Sequence, residues 1–190
     1  MSTLLELASV AQSCQRCPLA AGRTHVVFGE GSPSAALMVV GEGPGREEDL
    51  QGRPFVGRSG ALLDRLLVEE AGLRRAEVYI ANVVKCRPPN NRDPKPPEIE
   101  QCRPYLDQQV DLIRPAVILT LGNFASRALL ATTEGIRKLR GQVYPFGDTG
   151  AVVVPTFHPA AALRSPNDTL PQMRADFVRA KRAMLDAAPR

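Results

Sequence analysis

Residues 38–49 read MVVGEGPGREED, from Met38 to Asp49. An apolar run breaks off into Gly41, Gly43, Pro44 and Gly45, with carboxylates at 42, 47, 48 and 49. The run Ala35–Val40 is continuously apolar, the pattern of a strand covered on both faces. A glycine-rich turn straight after such a strand suggests a phosphate cradle, but the residues argue against one. A P-loop needs G-x-x-x-x-G-K-[ST], and no lysine stands in that place. A dinucleotide fingerprint needs G-x-G-x-x-G, whereas Gly41, Gly43 and Gly45 give G-x-G-x-G. The carboxylates would repel phosphate, the more so in a dry site. The turn is better suited to bringing one carboxylate against a substrate. Glu42, between two glycines at the strand end, is the candidate; Glu47 and Asp49 read as a solvated face.

Working outward, Thr3 can cap a first helix that runs into CQRCPL. Ser59 begins a helix, SGALLDRLLVEEAG, with Leu62, Leu63, Leu66 and Leu67 at helical spacing and Gly72 as its stop. VYIANVV (78–84) is the next strand, KCRPPNNRDPKPP (85–97) a proline-broken loop, and Glu98 to Ile113 a helix. AVILTLG (116–122) is a third buried strand and NFASRALLA (123–131) a short helix. QVYPF and AVVVPTF flank the turn signal GDTG as a hairpin, and a last helix runs from about Leu170 to Ala187. This alternation predicts an α/β fold whose mainly parallel sheet is covered on both faces. Ligands of such sheets bind at the carboxyl ends of the strands. The loops Gly41–Asp49, Lys85–Arg92, Gly122–Asn123 and His158–Arg164 are therefore expected to meet.

The chain has 190 residues and 44% hydrophobic content, which suits one globular domain spanning 1–190. No apolar run reaches membrane-spanning length, and the N-terminus lacks the basic start of a signal peptide. A cytoplasmic location is the default expectation. Net charge is +4, and only Lys85, Lys95, Lys138 and Lys181 of the 24 basic residues are lysine. Arginine forks bind phosphate bidentately and stack on bases, so the excess fits a nucleic-acid surface; it equally fits a GC-rich genome.

The four cysteines form two close pairs, Cys14–x2–Cys17 and Cys86–x15–Cys102. Disulfides are disfavoured in a reducing compartment, and four thiols so arranged point to one metal or cluster site. Spacing alone leaves zinc and iron–sulfur both open.

Three further residues are candidates. Phe55 lies in the glycine- and proline-flanked loop QGRPFVGRSG, where an aromatic can stack on a base or plug the next helix. Asn82 interrupts an apolar strand; a buried amide needs partners, and it can donate and accept side by side. His158 follows a strand and precedes Pro159, opening PAAALR, a segment able to wedge into a DNA groove with Leu163 as apolar tip and Arg164 on a phosphate. Arg87 is a third candidate DNA contact. His25 has no chemical neighbours and reads as structural.

Taken together, GEGPGREEDLQGRPFVGRSGALLDRLL, ANVVKCRPPNNR, the four cysteines and FHPAAALR resemble the family 4 uracil-DNA glycosylases over nearly the whole chain. The resemblance implies a three-layer sandwich with a four-stranded sheet between helices, and a 4Fe–4S cluster on Cys14, Cys17, Cys86 and Cys102. It implies that Glu42 positions or activates water, Phe55 stacks on a flipped uracil, Asn82 reads the uracil edge and His158 contacts uracil O2. Glu48 corresponds to the acid that discourages thymine's methyl group. Gly41 and Gly43 let the backbone approach the nucleotide. Related sequences carry a bulkier residue where Ala161 and Ala162 stand here. Glycine at 43, and no histidine between Cys86 and Cys102, distinguish the chain from the relatives that trap the abasic site covalently.

The expectation is a monofunctional, monomeric glycosylase acting on uracil in double- or single-stranded DNA. Two other classes compete: a non-catalytic Fe–S or zinc DNA-binding module of the kind found beside polymerases, and a nucleotide hydrolase using the glycine turn.

Overall fold

The computed structural model describes residues 3–187. The strands are β1 Glu30–Gly31, β2 Leu37–Gly41, β3 Tyr79–Asn82, β4 Val117–Leu121, β5 Tyr144–Pro145 and β6 Val152–Thr156. The α-helices are α1 Leu4–Gln12, α2 Arg46–Gln51, α3 Arg58–Leu66, α4 Pro96–Ile113, α5 Asn123–Leu130, α6 Ile136–Leu139, α7 Pro159–Arg164 and α8 Pro166–Ala187. Thr3 caps α1 by accepting from Glu6 N at 3.2 Å, while Glu6 reaches back to Thr3 N at 2.7 Å. Past Leu66 the helix widens into a π turn and stops at Gly72, whose φ of 72° suits a residue without a Cβ.

Among the described residues one sheet runs in the order β1-β3-β2-β4-β6-β5. The middle four strands pair in parallel, and β1 and β5 close the edges antiparallel. The four-stranded expectation is thus corrected to six strands. The parallel centre is as expected, and β5 comes from the hairpin signalled by GDTG. β1 has two residues, too short for any hydrophobic pattern to betray it.

All five residues of β2 are buried. Met38, Val40, Ile118 and Val153 pack towards α1, α4 and α5, whereas Leu37, Val39, Leu119 and Val154 pack towards α3 and α8. Both faces are covered, so successive side chains are apolar and the strand reads as a continuous run. From β2 the chain crosses to β3 on one side, then returns to β4 and β6 on the other. The order therefore reverses between β2 and β4, which opens a crevice at their carboxyl ends. Buried Asp176 of α8 anchors the end of β6, accepting from Thr156 Oγ1 at 2.9 Å and from two nitrogens of Arg140 at 3.0 Å.

Three short helices leave no mark in the sequence pattern. α2, α6 and α7 have six, four and six residues, less than the two turns over which an apolar stripe becomes visible. α4 and α8 each start at a proline, Pro96 and Pro166, because a helix's first turn needs no N–H there.

Candidate functional site

Strand register builds the site. Gly41 pairs with Asn82, and Leu121 with Thr156, so the four parallel strands end side by side. Glu42 lies one residue past β2 and His158 two past β6. A pocket of about 690 Å³ opens there, lined among others by Glu42, Gly43, Glu48, Phe55, Asn82, His158 and Arg164. The four loops expected to meet do meet. Gly41 lies beneath the lining; a Cβ on it would stand 2.5 Å from both Asn82 Oδ1 and Phe55 Cζ, so only glycine lets these two side chains close over β2. Leu163 and Arg87 are outside the lining. Leu163 is exposed on α7, and Arg87 Nε donates to Asn91 Oδ1 at 2.6 Å on the flanking loop.

Asn82 is 1% exposed, and its Oδ1 has no hydrogen-bond partner among the described residues. An unsatisfied buried carbonyl costs about 1–3 kcal/mol, which a ligand's N–H would recover. His158 caps α7: its Nδ1 accepts from Ala160 N at 3.1 Å, skipping Pro159, which has no N–H. The proton of a neutral ring then resides on Nε2. Burial, with Arg164 nearby, pushes the His158 pKa down to about 4, so the ring is a neutral donor at neutral pH. Its centroid lies 5.8 Å from that of Phe55. Burial, aided by the negative charge of Asp93, pushes Glu42 up to about 7.

The acidic run divides differently from expectation. Glu47 is exposed, but Asp49 is 2% exposed and its Oδ1 accepts from Thr24 N at 2.9 Å. It staples the preceding segment to α2 and is not solvated. His25 joins that staple, its Nδ1 2.9 Å from Asp49 O, which is a structural place. Glu48 lines the pocket with both oxygens engaged, Oε2 by Gly45 N at 3.1 Å and Oε1 by Val56 N at 3.0 Å and Gly57 N at 3.3 Å. Asp93, Asn123 and Phe124 also line the pocket and carry no motif of their own in the sequence. Asn123 follows a strand end, the one signal that marks it.

The cysteines line a second, small and mostly apolar cavity, joined by Arg23, Lys85 and Tyr105. Arg23 Nη1 donates to Cys86 Sγ at 3.6 Å and Lys85 N to Cys102 Sγ at 3.2 Å. Burial pushes the Cys86 thiol up to about 11 and raises that of Cys102. Among the described residues no group of three or more His, Cys, Asp or Glu side chains is arranged to hold a metal ion. No described helix is long and apolar enough to cross a membrane.

Residues 28–182 match the family model of the uracil DNA glycosylase superfamily. The type-4 uracil-DNA glycosylase of Sulfurisphaera tokodaii is 47% identical over 173 residues, covering 88% of this chain and 79% of that protein. The type-4 uracil-DNA glycosylase of Saccharolobus solfataricus is 44% identical over 190 residues, covering 97% of this chain and 88% of its own. A DNA polymerase of Bacillus phage SP01 is 32% identical over 138 residues, 73% of this chain but 15% of the polymerase. Agreement along most of both lengths with the type-4 relatives outweighs that partial match, and the chain belongs to the uracil-DNA glycosylase superfamily, on its type-4 branch.

Proposed function

We propose that the chain is a monofunctional uracil-DNA glycosylase, one domain over 1–190, that hydrolyses the N-glycosidic bond of uracil in DNA. The observation that carries this is the convergence of Glu42, Phe55, Asn82 and His158 on one strand-end pocket, with the Asn82 carbonyl left unpaired inside it. A base within a duplex is out of reach, so it is flipped into the pocket. Phe55 stacks on it, and Asn82 accepts from N3–H while donating to O4. Cytosine presents the opposite pattern and would leave buried groups unpaired, which is how a polar pocket rejects it. As the bond loosens, the sugar gains positive charge and uracil O2 gains negative charge. The Nε2–H of His158 donates to that oxygen, a contact of the oxyanion-hole kind worth about 3 kcal/mol. The Glu42 carboxylate stabilises the cation and orients water towards C1′.

The thiols are read as ligands of a 4Fe–4S cluster. All four thiols border one mostly apolar cavity, a donor set that suits such a cluster, and the family resemblance, not the spacing, selects it over zinc. Bound there, the cluster would supply covalent cross-links and carry no catalytic step. N–H groups aimed at two of the sulfurs offset part of the burial that raises those thiols. Arg87, Leu163 and Arg164 are assigned to DNA, and Leu163 is the wedge. The protein is read as a cytoplasmic monomer.

Incubation with a uracil-containing oligonucleotide, then alkali, should cut the strand at the uracil. Glu42→Ala should slow this at least about a hundredfold while leaving DNA affinity within a few-fold. A cluster-loaded protein giving no scission would rule the reading out. Equal activity of the Glu42 variant would exclude the role given to that carboxylate.

A further inference from the structure

Phe55 holds φ at 52°, in the left-handed region that a bulky side chain avoids. Such strain persists only where the surroundings over-determine it. Here the backbone is gripped from two sides. On one side, Arg75 Nη1 donates to Phe55 O at 3.2 Å and Nη2 donates to Pro54 O. On the other, Glu48 takes the amides of Val56 and Gly57. Gly60 allows α3 to pass directly under the turn, since a Cβ there would overlap the Phe55 carbonyl. Arg75 is outside the pocket, on the turn Arg75–Glu77, and is itself fixed by Glu30 Oε1 at 2.8 Å and Asp64 Oδ1 at 2.9 Å.

We propose that Arg75 is a positioning residue for base excision, locking the Pro54–Phe55 backbone into the left-handed turn that presents the Phe55 ring to the flipped base. The proposal rests on the reading of Phe55 as the stacking platform. Two carbonyls and two carboxylates converge on one side chain, and only a planar guanidinium has enough donors, rigidly spread, to meet them. A lysine ammonium meets fewer and leaves a carbonyl of the strained turn free. Without the clamp the turn relaxes towards negative φ, and the ring swings with it.

The role shows in a double-mutant cycle read by the single-turnover rate at saturating enzyme on uracil-containing DNA. Arg75→Met, Arg75→Lys and Asp64→Asn are each measured with Phe55 intact and with Phe55→Ala, well below each protein's melting temperature. With Phe55 intact, the Arg75 variants should slow excision about tenfold and Asp64→Asn about twofold; in the Phe55→Ala background the Arg75 variants should slow it less than about twofold and Asp64→Asn not at all. Equal slowing in both backgrounds would mean that Arg75 supports the fold in general and would overturn the proposal. So would no slowing with Phe55 intact. Should Arg75→Met fail to fold, Arg75→Lys, which keeps a positive charge at the site but too few donors for both carbonyls, decides between the same outcomes by the same pattern. Phe55→Ala excising as fast as the parent would instead overturn the platform reading itself, and is seen separately in that single variant.

Discussion

Burial withholds water from the Glu42 carboxylate and Asp93 adds a second negative charge, so Glu42 keeps its proton up to about pH 7. In the reaction proposed above the ionised form orients water and faces the sugar cation, so on that proposal activity follows the carboxylate fraction. The single-turnover rate should climb about tenfold per pH unit below 7 and level off above it. His158 adds no limb in this range, because its ring is already neutral above about pH 4. Asp93→Asn removes the smaller of the two causes, so the midpoint should move modestly to lower pH without changing the plateau. Rates from about pH 5 to 8 test this; a flat profile would remove Glu42 from the reaction, and an unmoved midpoint would remove Asp93 from its tuning. Glu42, Asn82 and His158 are legible in the sequence because each breaks a pattern: a carboxylate among glycines, an amide in an apolar strand, a histidine at a strand end. Asp93 breaks none, since its influence acts through space between loops. Asp49 misleads for the converse reason, being identical in kind to the exposed Glu47 two residues earlier. Only the fold reveals that the Thr24 amide waits above it.

At the scale of elements, long segments are legible and short ones are not. β2, β3, β4 and β6 declare themselves by apolar runs, and α3 by its leucine spacing. α7 reads as a loop because six residues give too few turns for a periodicity. Its helical form matters for DNA. A helix fixes the direction of each side chain, and here it buries Ala162 while leaving Leu163 44% exposed beside the pocket-lining Arg164. An exposed leucine next to the pocket can fill the gap left in a base stack when a nucleotide leaves it. That gap exists in a duplex and hardly at all in a flexible single strand. Leu163→Ala should therefore slow excision from double-stranded substrate about tenfold, and from single-stranded substrate less than about threefold. Comparison of the two rates on one oligonucleotide, with and without its complement, is decisive. Equal losses would mean that Leu163 acts on the pocket and not on the duplex.

The whole molecule joins two cores across one sheet, and the cysteines lie where a group bound by all four would tie α1 to the rest. α1 has nine residues, of which only Leu7 and Ala11 are fully buried. Burying one leucine contributes about 1.5–3 kcal/mol, little against the ordering entropy of a short helix. Cys14 and Cys17 follow α1 directly, Cys86 lies past the end of β3, and Cys102 is in α4. A group bound by all four pins three distant segments at once, which closes long loops of the unfolded chain and makes binding free energy into folding free energy. The pocket does not depend on that tie for its architecture, since β2, β4 and β6 bring Glu42, Asn123 and His158 to its edge. Cys17→Ala should thus abolish visible iron–sulfur absorbance and lower the melting temperature by about 10 °C, the shift expected of a few kcal/mol in a chain of this size. The loss should be uneven. Hydrogen exchange should lose its protection across residues 4–12 while amides of β2 and β4 keep theirs, because their ladders lie in the parallel centre of the sheet. If absorbance vanished while α1 stayed protected and the melting temperature held, the cysteines would not brace the fold. If protection instead collapsed evenly over α1 and the sheet, the cysteines would support the whole core and not one attached segment.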